Sequence, residues 1–143
     1  MSLERKTKEL LIGIDAGVNT GIAIWDTGES KFISVSSCTI LNAIRQVHQL
    51  RDRIKSVIVE DARQVQYNTS KAKAQGAGSV KRDCKIWEEF LVEAKIPHKF
   101  VRPSKSITKW DKNRFKAVTG WKGITNEHGR DAGMLIFGRK GMV

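Results

Sequence analysis

The amino-acid sequence predicts a single α/β domain spanning residues 1–143, in which helices flank one mixed sheet. Three observations carry this. Short apolar runs near the N-terminus are separated by turn residues, the pattern of an antiparallel meander. Beyond residue 39, helical periodicity alternates with further apolar runs, the order of strand–helix–strand crossovers. The 143 residues, 40% hydrophobic and 29% charged, suit one domain with a sizeable core and not a disordered chain.

Residues 1–9 are polar and are expected to fray. Leu10 to Asp15 is a bulky run read as a strand buried on both faces. Ala16 to Gly21 reads as a turn, with two Gly and one Asn able to take positive φ. Ile22 to Trp25 is the second strand, Asp26 to Ser30 a turn, and Lys31 to Ser36 an alternating third strand. Thr39 is a candidate N-cap for a helix carrying Ile40, Leu41, Ile44, Val47, Leu50 and Ile54. Ser56 to Glu60 is a fourth strand, parallel by virtue of the helix before it. Residues 61–80 are polar and rich in Lys, Gln, Ala and Gly. Lys81 to Ala94 is helical by pattern, and Ile96-Pro97 stops it. His98 to Val101 is a fifth strand. Ser104 to Gly120 is expected to hold short helices, and Asn126 to cap a last helix running to about Gly138.

Charge narrows the function. Lys and Arg total 26 against 15 Asp and Glu, for a net charge of +11. That balance points to a polyanionic partner, nucleic acid first. No apolar run approaches the ~20 residues of a membrane span. The first apolar stretch stops at Asp15, which a signal peptide would not tolerate. Cys38 and Cys84 are isolated and read as reduced cysteines of a cytoplasmic protein.

Against this basic background, three carboxylates sit at the edges of apolar runs. Asp15 ends Leu10-Leu11-Ile12-Gly13-Ile14, Glu60 ends Val57-Ile58-Val59, and Asp131 opens Ala132-Gly133-Met134-Leu135-Ile136-Phe137. A carboxylate in such a place is costly unless paired or bound to a cation. Phosphodiester hydrolysis with two divalent ions ~3.5–4 Å apart needs several carboxylates converging on one spot. Each residue also has a plainer account. Asp15 could cap a turn, and Glu60 could be a solvated loop charge. Alternation along the strand puts Glu60 in phase with Ile58, while the adjacent Asp61 falls at the strand's end. His128 and Asp131 lie three apart at a helix start, hence on one face. There His128 could ligate a metal or accept a proton, and Asp131 could simply favour the helix dipole.

These residues carry a resemblance. Leu11-Ile12-Gly13-Ile14-Asp15-Ala16-Gly17 with Thr20-Gly21 resembles the first strand and turn of the RuvC family of Holliday junction resolvases, in the ribonuclease H-like superfamily. Val57-Ile58-Val59-Glu60 resembles the fourth-strand glutamate, and Ala74-Gln75-Gly76-Ala77-Gly78 a glutamine/glycine helix opening. Arg102-Pro103-Ser104 and Asp131-Ala132 match later segments. The resemblance runs from about residue 10 to 138, and the order and spacing of its motifs are more specific than any one of them. The bacterial resolvases usually carry aspartate where this chain has His128. The RuvC-like nuclease domains of RNA-guided CRISPR effectors instead show His-x-x-Asp and Glu-x-Ala-Arg, similar to His128 to Asp131 and Glu60 to Arg63.

The resemblance implies a ribonuclease H-like fold with a five-stranded mixed sheet. It implies a homodimeric endonuclease with two Mg²⁺ per site, or Mn²⁺ in its place, making paired nicks in branched DNA. It carries the metal and catalytic roles onto Asp15, Glu60, His128 and Asp131, with His128 either ligand or base. Compactness suits a phage or prophage enzyme in a bacterial or infected host cell. Candidate DNA contacts are Arg63, Tyr67, Lys71, Lys73, Lys81, Arg82, Arg102, Lys105 and Lys109, with Tyr67 as a wedge against an unstacked base. The aromatics Trp110, Phe115 and Trp121 read as core packing. Two alternatives stand beside this: a ribonuclease H-like nuclease acting on hybrids, flaps or forks, and a non-catalytic nucleic-acid binding module.

Overall fold

Leu10–Asp15 forms β1, the middle strand of a five-stranded sheet ordered β3-β2-β1-β4-β5. The computed structural model describes residues 8–64, 71–103 and 110–137, and within 71–77 the backbone only. β2 (Asn19–Asp26) and β3 (Lys31–Thr39) complete an antiparallel meander. Helix α1 (Ile40–Leu50) crosses over to β4 (Ile54–Glu60), which runs parallel to β1. Helix α2 (Lys71–Glu93) leads to β5 (His98–Val101), parallel to β4. Helices α3 (Lys112–Thr119) and α4 (Glu127–Phe137) close the order.

The expected mixed sheet forms, with differences of detail, and Ile54, expected on the first helix, opens β4 instead because α1 stops at Leu50. β2 begins at Asn19, not Ile22, because Thr20 and Gly21 pair with Cys38 and Ser37. Among the described residues, positive φ occurs at Ser30, Lys95 and Gly120, so Gly17, Asn19 and Gly21 do not serve as left-handed turn residues. Helix α2 starts at Lys71, ten residues before its apolar stripe, since Ala, Lys and Gln are strong helix formers without one. The expected fraying of residues 1–9 lies outside the described residues as far as 7 and does not extend to Glu9. Glu9 accepts from Thr27 N–H at 2.9 Å through its carbonyl, and its carboxylate pairs with Arg53 at 2.6 Å.

Alternation on the central strands divides the core into two layers. Leu10, Ile12 and Ile14, with Val57 and Val59, pack under Ala43 and Val47 of α1 and Trp87 and Leu91 of α2. Leu11, Ala23, Trp25 and Ile58 pack under Phe115 of α3 and Ala132, Leu135 and Ile136 of α4. The phase of Leu11 passes through Gly13 to Asp15, and that of Ile58 leads to Glu60. Both strand-end carboxylates therefore belong to the α4 side of the sheet.

Two glycines let α4 come close. A Cβ on Gly13 would run into the carbonyl of Ala132, and one on Gly21 into the carbonyl of His128. Gly21 is also the cross-strand partner of Asp15. The helix start is tied to β3 by Asn126, whose Oδ1 accepts from Gly129 N–H at 2.8 Å while its Nδ2 donates to Ser37 Oγ at 2.7 Å. Asn126→Ala is expected to cost about 1 kcal/mol of stability in urea unfolding, the ordinary loss for an N-cap.

Candidate active-site cleft

Three elements meet at one end of the sheet. β1 delivers Asp15, β4 delivers Glu60, and the first turn and a half of α4 delivers Glu127, His128 and Asp131. All five line a single cleft of about 550 Å³. The β1–β2 turn contributes Val18, and the segment after β5 contributes Arg102 and Pro103. The local reasons are simple. Each strand stops where its apolar run stops, and α4 starts at the Asn126 cap, so the polar ends of three elements collect at one edge.

His128 Nδ1 stands 3.2 Å from Asp15 Oδ2, across 113 positions of sequence. With its proton on Nδ1 the imidazole donates to Asp15, leaving Nε2 as an acceptor. The Asp15 side chain is 21% exposed and His128 49%, so the pair faces the cleft and is open to solvent. Asp131 follows His128 by three residues and so shares its helix face. Glu127 was not singled out from sequence. Its signal was its place in the first turn after a capping Asn, where a carboxylate suits the helix dipole.

Four carboxylates and an imidazole border one cleft, and these are donor types that hard divalent cations accept. Among the described residues, no three His, Cys, Asp or Glu side chains stand close enough together to hold an ion as they are placed. The fit is therefore one of donor chemistry and shared cleft.

Asp61, beside Glu60, faces the other layer. It is 5% exposed and receives Arg63 through Nε at 2.7 Å and Nη2 at 3.0 Å. Arg63 also reaches Glu88 on α2 at 3.0 Å and lies over the Phe100 ring at 5.1 Å. Burial opposes ionisation of Asp61, but hydrogen bonds from Arg63 and Gln64 outweigh it and hold the carboxyl below its usual range. The pair raises the Arg63 guanidinium in turn. A carboxyl depressed in the folded state contributes stability that is present above its unfolded pKa of about 3.9 and is lost as pH falls through the folded value. Thermal melts of the wild type should therefore fall off below about pH 4, and Asp61→Asn should remove that component. At neutral pH the variant should lose about 1.5–3 kcal/mol, the usual worth of hydrogen bonds to a charged group.

The remaining candidate contacts are distributed as follows. Lys81 and Arg82 are exposed on α2, and Arg102 is exposed at the cleft's edge. Lys71 and Lys73 lie in the first turn of α2, with side chains outside the described residues. Tyr67, Lys105 and Lys109 also lie outside the described residues. Phe115 is buried, and Trp110 and Trp121 are half-buried against the same core layer.

The fold can be set beside solved structures. Thermus thermophilus RuvC in complex with a Holliday junction substrate aligns at a TM-score of 0.61 and 16% identity, covering 92% of this chain and 96% of that one. Another T. thermophilus RuvC structure aligns over the same shares at a TM-score of 0.50 and 16% identity. No family model and no curated protein matches the chain. At this identity the likeness is one of architecture: the chain has a RuvC-like, ribonuclease H-like fold.

Proposed function

We propose that this protein is a metal-dependent, structure-selective endonuclease of branched DNA, acting on four-way junctions by paired symmetric nicks. The observation that carries it is the Asp15–His128 contact in a cleft that Glu60 and Asp131 also border, on a chain of net charge +11. The RuvC-like fold supports the same reading, and the T. thermophilus RuvC of that fold is in complex with a Holliday junction substrate.

Asp15, Glu60 and Asp131 would hold Mg²⁺, two ions per site, with Mn²⁺ able to replace it. When bound, the ions would supply Lewis-acid stabilisation of the phosphoryl oxygens and a nucleophile at neutral pH. Asp15 orients His128 through Nδ1, so that Nε2 is free to accept a proton or to join the ligands. Arg102 sits at the cleft's edge to meet a phosphate, with Lys81 and Arg82 on α2 as further cationic contacts. Products would carry a 5′-phosphate and a 3′-hydroxyl. Two nicks related by a two-fold axis call for two copies of the site, hence a homodimer.

The test is a panel of synthetic substrates with Mg²⁺: a four-way junction, a fork, a flap, an RNA–DNA hybrid and a linear duplex. Paired nicks near the crossover, abolished by EDTA, are expected on the junction above all others. Preferred cleavage of the hybrid, flap or fork would leave the nuclease and overturn its substrate. Binding without cleavage in either metal would overturn the nuclease.

A further inference from the structure

The arginine in the turn after β4 is committed to carboxylates. Arg63 follows Glu60 by three residues, within a single 3₁₀ turn over Ala62–Gln64. Its Nε donates to Asp61 Oδ1 at 2.7 Å and its Nη2 to Asp61 Oδ2 at 3.0 Å, a two-pronged grip. Nη1 and Nη2 also reach the two Glu88 oxygens on α2, at 3.0 and 3.4 Å. The guanidinium lies 5.1 Å over the Phe100 ring of β5, and the side chain is only 28% exposed. Each of its three nitrogens thus donates to a carboxylate. Two carboxylates around one guanidinium leave a net negative charge, which repels a phosphate. The grip reaches Glu60 through the backbone. Asp61 N–H donates to the Val101 carbonyl at 2.8 Å, and Arg63 N–H to Asp61 Oδ1 at 3.0 Å. Gln64 N–H donates to the Asp61 carbonyl at 3.1 Å, and Gln64 Nε2 to the Phe100 carbonyl at 3.3 Å. The Glu60 carbonyl accepts from the Cys84 thiol of α2 at 3.6 Å. The chain just past Glu60 is therefore tied to α2 and β5 at once.

We propose that Arg63 is a positioning residue for Glu60 and makes no contact with DNA. The inference rests on the metal-dependent nuclease reading above. Two acids adjoin at the end of β4, and alternation lets only one of them face the cleft. A slip of one residue would exchange them. Asp61 is 5% exposed and stays on the α2 layer because Arg63, itself fastened to Glu88, holds it there. With Asp61 held, Glu60 is the acid that lines the cleft. Glu60 also pairs in register with Val101, which leads into Arg102. The same ties therefore keep Arg102 at the cleft's edge. Groups that orient a metal-binding carboxylate without touching the ion commonly govern its affinity, and losing one costs about 10–100-fold.

The experiment uses the full-length chain as wild type, Arg63→Ala, Arg63→Lys and Glu88→Gln, at a temperature where each is folded by circular dichroism. Mn²⁺ binding is measured by titration calorimetry without DNA. Four-way junction binding is measured in Ca²⁺ across a salt series. Arg63→Ala is expected to bind Mn²⁺ about tenfold more weakly and to cleave more slowly at low Mg²⁺. Its junction affinity and its slope of log K against log salt should match wild type. Arg63→Lys keeps the charge but not the fork, so it should resemble Arg63→Ala in Mn²⁺ binding. Glu88→Gln strands no buried charge and should weaken Mn²⁺ binding in the same direction. With Arg63→Lys it decides the matter if Arg63→Ala does not fold. A salt slope lowered by about one in Arg63→Ala and restored in Arg63→Lys would make Arg63 a phosphate contact and overturn the inference. Wild-type Mn²⁺ binding in every folded variant would also overturn it, leaving the nuclease standing. Wild type that takes up no Mn²⁺ and cuts no substrate would overturn the nuclease reading and the inference with it.

Discussion

Asp15→Asn is expected to bind a four-way junction like wild type and to cleave it at least about 10³-fold more slowly in Mg²⁺, a barrier increase of about 4 kcal/mol. The substitution keeps shape and a hydrogen-bond acceptor and removes one charge. His128 Nδ1 therefore retains an oxygen at its 3.2 Å position, and the fold should be unchanged. What is lost is the negative charge that a divalent ion requires at the end of β1. Electrostatic terms of this kind are the largest single contributions in most active sites. Glu60→Gln and Asp131→Asn should behave in the same way, since they border the same cleft. Single-turnover cleavage and filter binding on one junction preparation check all three. Wild-type cleavage by Asp15→Asn would remove Asp15 from the site, whatever the other variants do.

Gly21→Ala is expected to lower both stability and activity, out of proportion to one added methyl. Its Cβ would meet the backbone carbonyl of His128, and it would stand 3.1 Å from the Cβ of Asp15. Neither β2 in mid-ladder nor a helix backbone can move aside as a flexible side chain would. Overpacking of this type costs about 1–3 kcal/mol, and more where backbone must shift. At about 3–5 °C per kcal/mol for a domain of this size, the melting temperature should fall by at least several degrees. Any relaxation moves α4 outward, and with it His128 and Asp131. Cleavage should therefore drop further than the stability loss explains at a temperature where the variant is still folded. Gly78→Ala is the matched comparison. It lies on an exposed part of α2 with nothing near its Cβ, so Ala should stabilise by about 0.5–1 kcal/mol and leave cleavage unchanged. Equal melting temperatures for Gly21→Ala and wild type would mean that α4 does not need the close approach.

Much of this could be read along the chain. Leu10–Asp15 and His98–Val101 fall where the apolar runs put them, and Thr39 caps α1, accepting from Asn42 N–H at 3.2 Å. The reason is that these features are local: period, cap chemistry and run length are set within a few residues. The start of α2 was not legible, because a helix held by propensity alone has no apolar period to see. The role of Gly21 is not legible in the sequence, for the opposite reason. Gly in a Thr-Gly pair signals a turn locally, but here it answers to a helix more than a hundred positions away.

The candidate site divides in the same way. The edges of apolar runs marked Asp15, Glu60 and Asp131, since a charge beside a buried segment is conspicuous in a string, and helical spacing from Asp131 together with the resemblance added His128. That Asp15 meets His128 depends on the pairing of β1 between β2 and β4 and on the descent of α4 onto Gly13 and Gly21. Likewise, strand phase and the resemblance single out Glu60 over Asp61, but nothing in Glu60-Asp61-Ala62-Arg63 says that Asp61 is held by Arg63. Strand alternation makes the two exclusive, but packing of α2 and Glu88 on one layer and α4 on the other assigns them. The chain alone specified its elements and their chemistry, which are short-range properties. Which of them meet is a matter of long-range contact, and that is fixed only when both faces of the sheet are buried at once.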